Sequence, residues 1–156
     1  MFVYLSTDHA GFELKNQIAE FLKGDYKNFE IKDFGAFKYD ENDDYPDFII
    51  PCIDDFTKDL EKNKANNNSF AIVIGGSGTG EAITANRFKG VRAVVANSDN
   101  LEIIKLGRMH NDANVISFGA RFVDFDFAKQ AIKIFLETKF EGGRHQERIN
   151  KIDSNL

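Results

Sequence analysis

Phe70-Ala71-Ile72-Val73-Ile74 runs directly into Gly75-Gly76-Ser77-Gly78-Thr79-Gly80-Glu81, and this junction decides the fold. An apolar residue at every position, with no alternation, suits a central parallel strand covered on both faces. Four glycines among residues 75–80 let the backbone turn tightly. They also present N–H groups at the start of a helix, where negative charge is favoured. A helix over about 81–88 is expected to follow.

Outward from this junction the pattern alternates. Phe2-Val3-Tyr4-Leu5, Phe29 to Phe34, Val91 to Ala96 and Asn114 to Phe118 read as further strands. Helical periodicity marks Phe12 to Lys23, with Leu14, Ile18, Phe21 and Leu22 on one face. Pro46 opens a second helix through about Lys62, carrying Phe48, Ile49, Ile53, Phe56 and Leu60 on its core face and a kink at Pro51. Helices are also expected over Asn100 to Met109, over Phe125 to Thr138 and after Gly142-Gly143. Strands alternating with helices imply an α/β fold: a three-layer α/β/α sandwich around a Rossmann-like, five-stranded parallel sheet. The 156 residues suit a single domain spanning 1–156. The polar run Glu61 to Asn68 is a surface loop. In such sheets ligands bind beyond the carboxyl ends of the strands. Thr7-Asp8-His9, the glycine loop and Ser98-Asp99 fall at those ends.

Composition narrows the function classes. Apolar residues make up 42% and charged residues 29%, which excludes disordered and fibrous chains. A single cysteine, Cys52, excludes an internal disulfide framework and a Cys-rich zinc site, and fits a reducing compartment. No apolar run reaches the roughly 18–20 residues of a membrane span. Met1 leads directly into a strand-like segment, unlike a secretory leader, so a cytoplasmic location is expected. The net charge of −5 argues against nucleic-acid and anionic-membrane partners. The charge is unevenly spread: residues 1–86 hold 8 Lys, no Arg and 16 acids, whereas residues 87–156 hold 6 Lys, 6 Arg and 9 acids. Either this is a compositional habit, or the second half supplies guanidinium groups for a small anion.

The glycine loop fits neither common nucleotide motif. A Walker A loop needs Lys followed by Ser or Thr where this chain has Glu81-Ala82. A dinucleotide fingerprint counted from Gly76 needs glycine at 81 and should follow the first strand. Glu81 therefore either offsets the helix dipole or acts as a base beside donors that stabilise an oxyanion. Asp8 and His9 either cap the next helix or belong to the same site. Arg144 and Arg148 are four residues apart, so they share a helix face that is either solvated or anion-binding. His9, His110 and His145 lack metal-ligand spacing.

Taken in order, these stretches resemble the type B ribose-5-phosphate isomerases, a family that includes the galactose-6-phosphate isomerase subunits and allose-6-phosphate isomerase. The matching residues are Asp8 to Lys15, Asp44-Tyr45-Pro46-Asp47, Gly76 to Gly80 with Ala85-Asn86-Arg87, and Arg92-Ala93. They continue with His110 to Val115, Gly119-Ala120-Arg121 and Phe140 to His145, so the resemblance covers residues 2 to about 152. One branch of that family carries a catalytic cysteine at the position of Gly75; another places a glutamate after the loop, as Glu81 stands here. With glycine at 75, Glu81 is the ionisable side chain of this loop.

The resemblance implies an aldose–ketose isomerase interconverting D-ribose 5-phosphate and D-ribulose 5-phosphate. His110 would open the furanose ring, Asp8 would hold sugar hydroxyls, and Glu81 would move a proton between C1 and C2 through a cis-enediolate. The amides of Gly76, Ser77, Gly78, Thr79 and Gly80, with the Ser77 hydroxyl, would hold the oxyanion. Tyr45 and Asn111 would contact the sugar, and His9, Arg121, Arg144 and Arg148 the phosphate. The resemblance further implies a homodimer with shared sites, or a tetramer. Residues from about 140 to 156 would pack on a partner, and no metal or organic cofactor is implied. Competing readings are an isomerase of allose or galactose 6-phosphate, a non-catalytic subunit of a heteromeric isomerase, and a nucleotide-binding module.

Overall fold

The computed structural model describes residues 1–62, 69–97 and 100–154. The polar stretch at 63–68 and the pair Ser98-Asp99 lie outside the described residues. Within them the chain alternates as expected: β1 (Phe2–Thr7), α1 (Phe12–Asp25), β2 (Glu30–Asp33), α2 (Tyr45–Lys62), β3 (Phe70–Gly75) and α3 (Thr79–Ala85). β4 (Ala93–Ala96), α4 (Leu101–Asn111), β5 (Val115–Gly119), α5 (Phe125–Glu137) and α6 (Arg144–Asp153) complete it. The strands form one sheet in the order β2-β1-β3-β5-β4, with every pairing parallel.

The apolar run at 70–74 explains the layers. Phe70, Ile72 and Ile74 pack with Val3 and Leu5 of β1 and Ile116 and Phe118 of β5 against α1, α4 and α5. Ala71 and Val73 point the other way, joining Tyr4 and Val115 against Ile49, Cys52, Ile53 and Phe56 of α2 and Ala85 of α3. Successive strand residues face opposite sides, so a strand between two helix layers must be apolar throughout.

Some boundaries differ from the sequence expectation, for local reasons. α3 ends at Ala85, short of Phe88, because Asn86 turns its side chain to Ala93: Oδ1 accepts the Ala93 N–H at 2.8 Å and Nδ2 donates to its carbonyl at 3.1 Å. β4 begins at Ala93 and not Val91, since the Arg92 N–H is taken by the Asn114 side chain at 2.8 Å. α2 runs on through Pro51, which forfeits one backbone bond without ending the helix. Phe48 and Leu60 are only partly buried. Among the described residues no helix is long and apolar enough to cross a membrane.

Two arginines are structural. Arg92 spans the start of β4, donating to the carbonyls of Gly90, Asn111 and Asp112 and to the Asp112 carboxylate. Arg108 is 7% exposed, lies over the rings of Phe70 and Phe135, and pairs with Asp112 at 2.9 Å. Asp112 keeps Arg92 as a partner at 2.8 Å, so what removing the Arg108 side chain costs is the buried volume it fills over the two rings, by the cavity effect that makes large-to-small core substitutions cost about 2–5 kcal/mol. Arg108→Ala is expected to destabilise the fold by about 3 kcal/mol, read as a lower urea midpoint at unchanged slope.

Candidate active site

The glycine loop is held by the end of β5. The Ala120 N–H donates to the Gly75 carbonyl at 2.8 Å, the Arg121 N–H to that of Gly76 at 3.2 Å, and the Ser117 hydroxyl to that of Gly78 at 2.6 Å. Gly78 has φ +75°, and a Cβ there would meet the Phe118 carbonyl carbon at 2.8 Å, so this turn requires glycine. The first N–H groups of α3 itself have no intrahelical acceptor. The Thr79 N–H reaches the Ser77 hydroxyl at 3.3 Å.

Glu81 sits in that first turn and is 3% exposed. Its carboxylate lies against the Cα of Gly75, where any Cβ would collide with it. Burial pushes its pKa above the usual carboxylate range; its own backbone N–H opposes this, and the charge of nearby Asp8 adds to it. A carboxylate whose proton affinity is raised in this way is a stronger base when ionised than an exposed one. A side chain at 75 and a carboxylate at 81 compete for one volume, so glycine at 75 and glutamate at 81 go together. Gly75→Ala is accordingly expected to lower kcat/KM at least about 100-fold by displacing the carboxylate, while thermal unfolding shows the fold retained.

Around Glu81 the structure gathers most of the first-half candidates. Asp8 follows β1; its Oδ1 accepts the Ala10 N–H at 2.9 Å, as a cap does, and it lies close enough to Glu81 for its charge to raise that residue's proton affinity. Burial raises the Asp8 pKa as well, against the Ala10 bond. The Tyr45 ring covers Gly80, where a Cβ would come within 2.8 Å of it. The Arg121 guanidinium packs over Gly76. Arg121 and His9, with Ala10, Glu13, Tyr39 and Glu41, line a cavity of about 320 Å³. A larger groove of about 610 Å³, lined by Phe21, Tyr26, Lys129 and Lys133 among others, holds none of the candidates.

The remaining candidates lie at the other end of the sheet. His110 falls in the last turn of α4, the helix that returns the chain from the carboxyl end of β4 to the amino end of β5. Asn111, the next residue, is tied to the start of β4 through Arg92. Arg144 and Arg148 are exposed on α6, which packs on α4 through its buried His145 and Ile149. Parallel topology thus places Asp8, His9, Tyr45, residues 76–81 and Arg121 at one end, and His110, Asn111, Arg144 and Arg148 at the opposite one.

Three residues near these groups were not singled out from the sequence for these contacts. His145 stacks on His110 with ring centroids 4.4 Å apart and planes 6° apart, and Glu141 Oε2 stands 3.7 Å from Nε2 of each. Burial lowers the His145 pKa, as do His110 and Arg144, whereas Glu141 raises it. Asp43 bonds His9 at 2.7 Å. The EGGRH segment does place Glu141 and His145 four apart, but only the tertiary fold brings them to His110. Among the described residues, two sets could offer three donor atoms to a cation: His110, Glu141 and His145, and Asp8, His9 and Asp43. Neither suits a tetrahedral ion, whose ligand atoms sit roughly 3.3 Å apart with converging lone pairs. The imidazoles of the first set are stacked in parallel, and the 2.7 Å contact of the second is a hydrogen bond. Cys52, buried in α2 with its pKa raised by burial, is inert.

Comparison with known proteins gives concordant results. The model of the family described as Ribose/Galactose Isomerase matches residues 3–152. The chain is 39% identical over 150 residues to the probable ribose-5-phosphate isomerase B of Mycoplasma genitalium, covering 96% of this chain and 92% of that one. It is 42% identical over 151 residues to the ribose-5-phosphate isomerase B of Mycobacterium leprae, covering 96% and 86%. The crystal structure of the M. genitalium enzyme with bound ribulose 5-phosphate superposes with a TM-score of 0.86 at 38% identity, covering 99% of this chain and 95% of that one.

Proposed function

The chain belongs to the ribose/galactose isomerase family, and from that premise we propose that it is a ribose-5-phosphate isomerase, an aldose–ketose isomerase acting between D-ribose 5-phosphate and D-ribulose 5-phosphate. The observation that carries this reading is Glu81, a buried carboxylate with raised proton affinity beside a loop of helix-terminal N–H groups. Glu81 takes the proton from C2 of the open-chain aldose and returns it to C1. The amides of residues 76–80, with the Ser77 hydroxyl, hold the enediolate oxygen as it gains charge. Asp8 and Tyr45 hold the sugar. His9 and Arg121 bind the phosphate from the same end of the sheet.

His110 opens the furanose ring, Asn111 contacts the sugar, and Arg144 and Arg148 complete the phosphate site. Because these four lie at the far end of the sheet from Glu81, they serve the Glu81 site of a second copy of the chain. This reading makes the chain a homodimer with two shared sites, or a tetramer, with α6 and the rest of residues 140–156 turned toward the partner. The whole chain acts as one domain, needs no metal or organic cofactor, and works in the cytoplasm within the non-oxidative pentose phosphate pathway.

An assay of this chain, expressed alone, on ribose 5-phosphate, allose 6-phosphate and galactose 6-phosphate tests the reading. Ribose 5-phosphate is expected to show the highest kcat/KM. A higher value on a six-carbon substrate would reassign the substrate, and no turnover at all would make the chain a non-catalytic subunit.

A further inference from the structure

Asp43 has no part in the reaction just described, yet it makes the tightest side-chain contact at the phosphate end of the site. Its Oδ1 accepts two hydrogen bonds from one residue: the His9 backbone N–H at 2.9 Å and the His9 ring Nδ1 at 2.7 Å. The Asp43 side chain is 11% exposed, so water competes little for this bond. Tyr39 meets the same imidazole edge-on, with centroids 6.1 Å apart and planes at 85°. The ring is therefore held both at one nitrogen and by an aromatic neighbour. With Nδ1 bonded to Asp43, Nε2 is the nitrogen left for a ligand, in a ring that lines the cavity shared with Arg121.

The charges around that cavity make the state of His9 decisive. Arg121 is a permanent cation. Glu13 from α1 and Glu41 from the loop after β2 line the same cavity, and Asp8 precedes His9 in the chain. Within one copy of the chain, a phosphate dianion entering there meets two carboxylates and one permanent positive charge, to which Arg144 and Arg148 of the second copy add theirs from the opposite side. A neutral imidazole would offer at most one hydrogen bond and no compensation.

We propose that Asp43 is a positioning residue for phosphate binding: it orients His9 through Nδ1–H and keeps the imidazole cationic, so that Nε2–H and Arg121 together hold the phosphoryl group. This rests on the assignment of His9 and Arg121 to the phosphate. The hydrogen bond that His9 donates to Asp43 raises the His9 pKa above the usual imidazole value, with burial opposing and Asp8 adding to the rise. A raised pKa keeps the cation at higher pH, so phosphate affinity falls only as pH climbs through that raised value.

The test compares Asp43→Asn, His9→Asn and the double variant, measuring kcat and KM for ribose 5-phosphate from about pH 6 to pH 9. The carboxamide of Asp43→Asn can still accept the backbone N–H but carries no charge. This variant is expected to raise KM about tenfold at the alkaline end, with kcat changed less than about threefold and KM converging on the wild-type value at the acid end. The double variant should be no worse than His9→Asn alone. A KM for Asp43→Asn that follows the wild type at every pH, or effects that add in the double variant, overturns the role of Asp43. If His9→Asn also leaves KM unchanged, the phosphate assignment of His9 itself fails. In the unmodified protein, imidazole 15N titration should show a His9 whose Nδ1 stays protonated and whose pKa exceeds the free value; an ordinary pKa contradicts the proposal.

Discussion

Glu81→Gln is expected to lower kcat on ribose 5-phosphate by about 10³-fold or more, with KM changed less than about threefold. The substitution keeps the volume pressed against Gly75 and the place in the first turn of α3, so the loop and its N–H groups stay in register. What it removes, in the proposed mechanism, is the ability to accept a proton from C2. A drop in kcat without a matching rise in KM is the signature of a group needed in the transition state and not for binding. In the unmodified protein the acid limb of the kcat/KM profile should lie above the ordinary glutamate range. Glu81 must be deprotonated to act, and burial together with Asp8 raises the pH at which it becomes so. Near-normal turnover by the Gln variant would remove Glu81 from the mechanism.

Mixing two inactive variants is expected to restore activity. Glu81→Gln damages the site end at the carboxyl edge of the sheet, and His110→Asn damages the end formed by α4 and α6. In a dimer with shared sites, a mixed pair carries both lesions at one site and none at the other. Random re-pairing places about half of the chains in mixed dimers with one intact site, so about a quarter of wild-type activity returns. From a background reduced by orders of magnitude this is a rise of at least about 100-fold. If no activity returns after demonstrated subunit exchange, the two ends do not serve one site.

Much of the fold could be read from residues 70–81 alone. An apolar residue at every position of β3 required helices on both sides, and the glycines placed the turn. The boundaries of α3 and β4 could not be read this way, because Asn86 and Asn114 set them through side-chain bonds across 7 and 22 residues. Asp8 illustrates a different limit: helix cap and site residue were posed as alternatives, and its carboxylate caps Ala10 while sitting beside Glu81. The arginines separated in the same manner. Arg92 and Arg108 answer to Asp112 and the core, whereas Arg121 faces the glycine loop and Arg144 and Arg148 are exposed on α6, where an anion can reach them. The split between the two ends was available from topology, since a helix that returns the chain must deliver His110 to the amino ends of the strands. Asp43 was not legible: its partner lies 34 residues away, and only the loop after β2 brings them together.

Proton transfer by Glu81 and a hydride moving directly between the two carbons leave different isotopic records in the product. Isomerisation of ribose 5-phosphate by the unmodified chain in D2O, followed by NMR of the ribulose 5-phosphate formed, distinguishes them directly. A carboxylate that exchanges its proton with solvent between removal and return will place deuterium at C1. Product formed at the full rate with no deuterium at C1, by the unmodified chain and by Glu81→Gln alike, would contradict the role of Glu81 as the proton carrier.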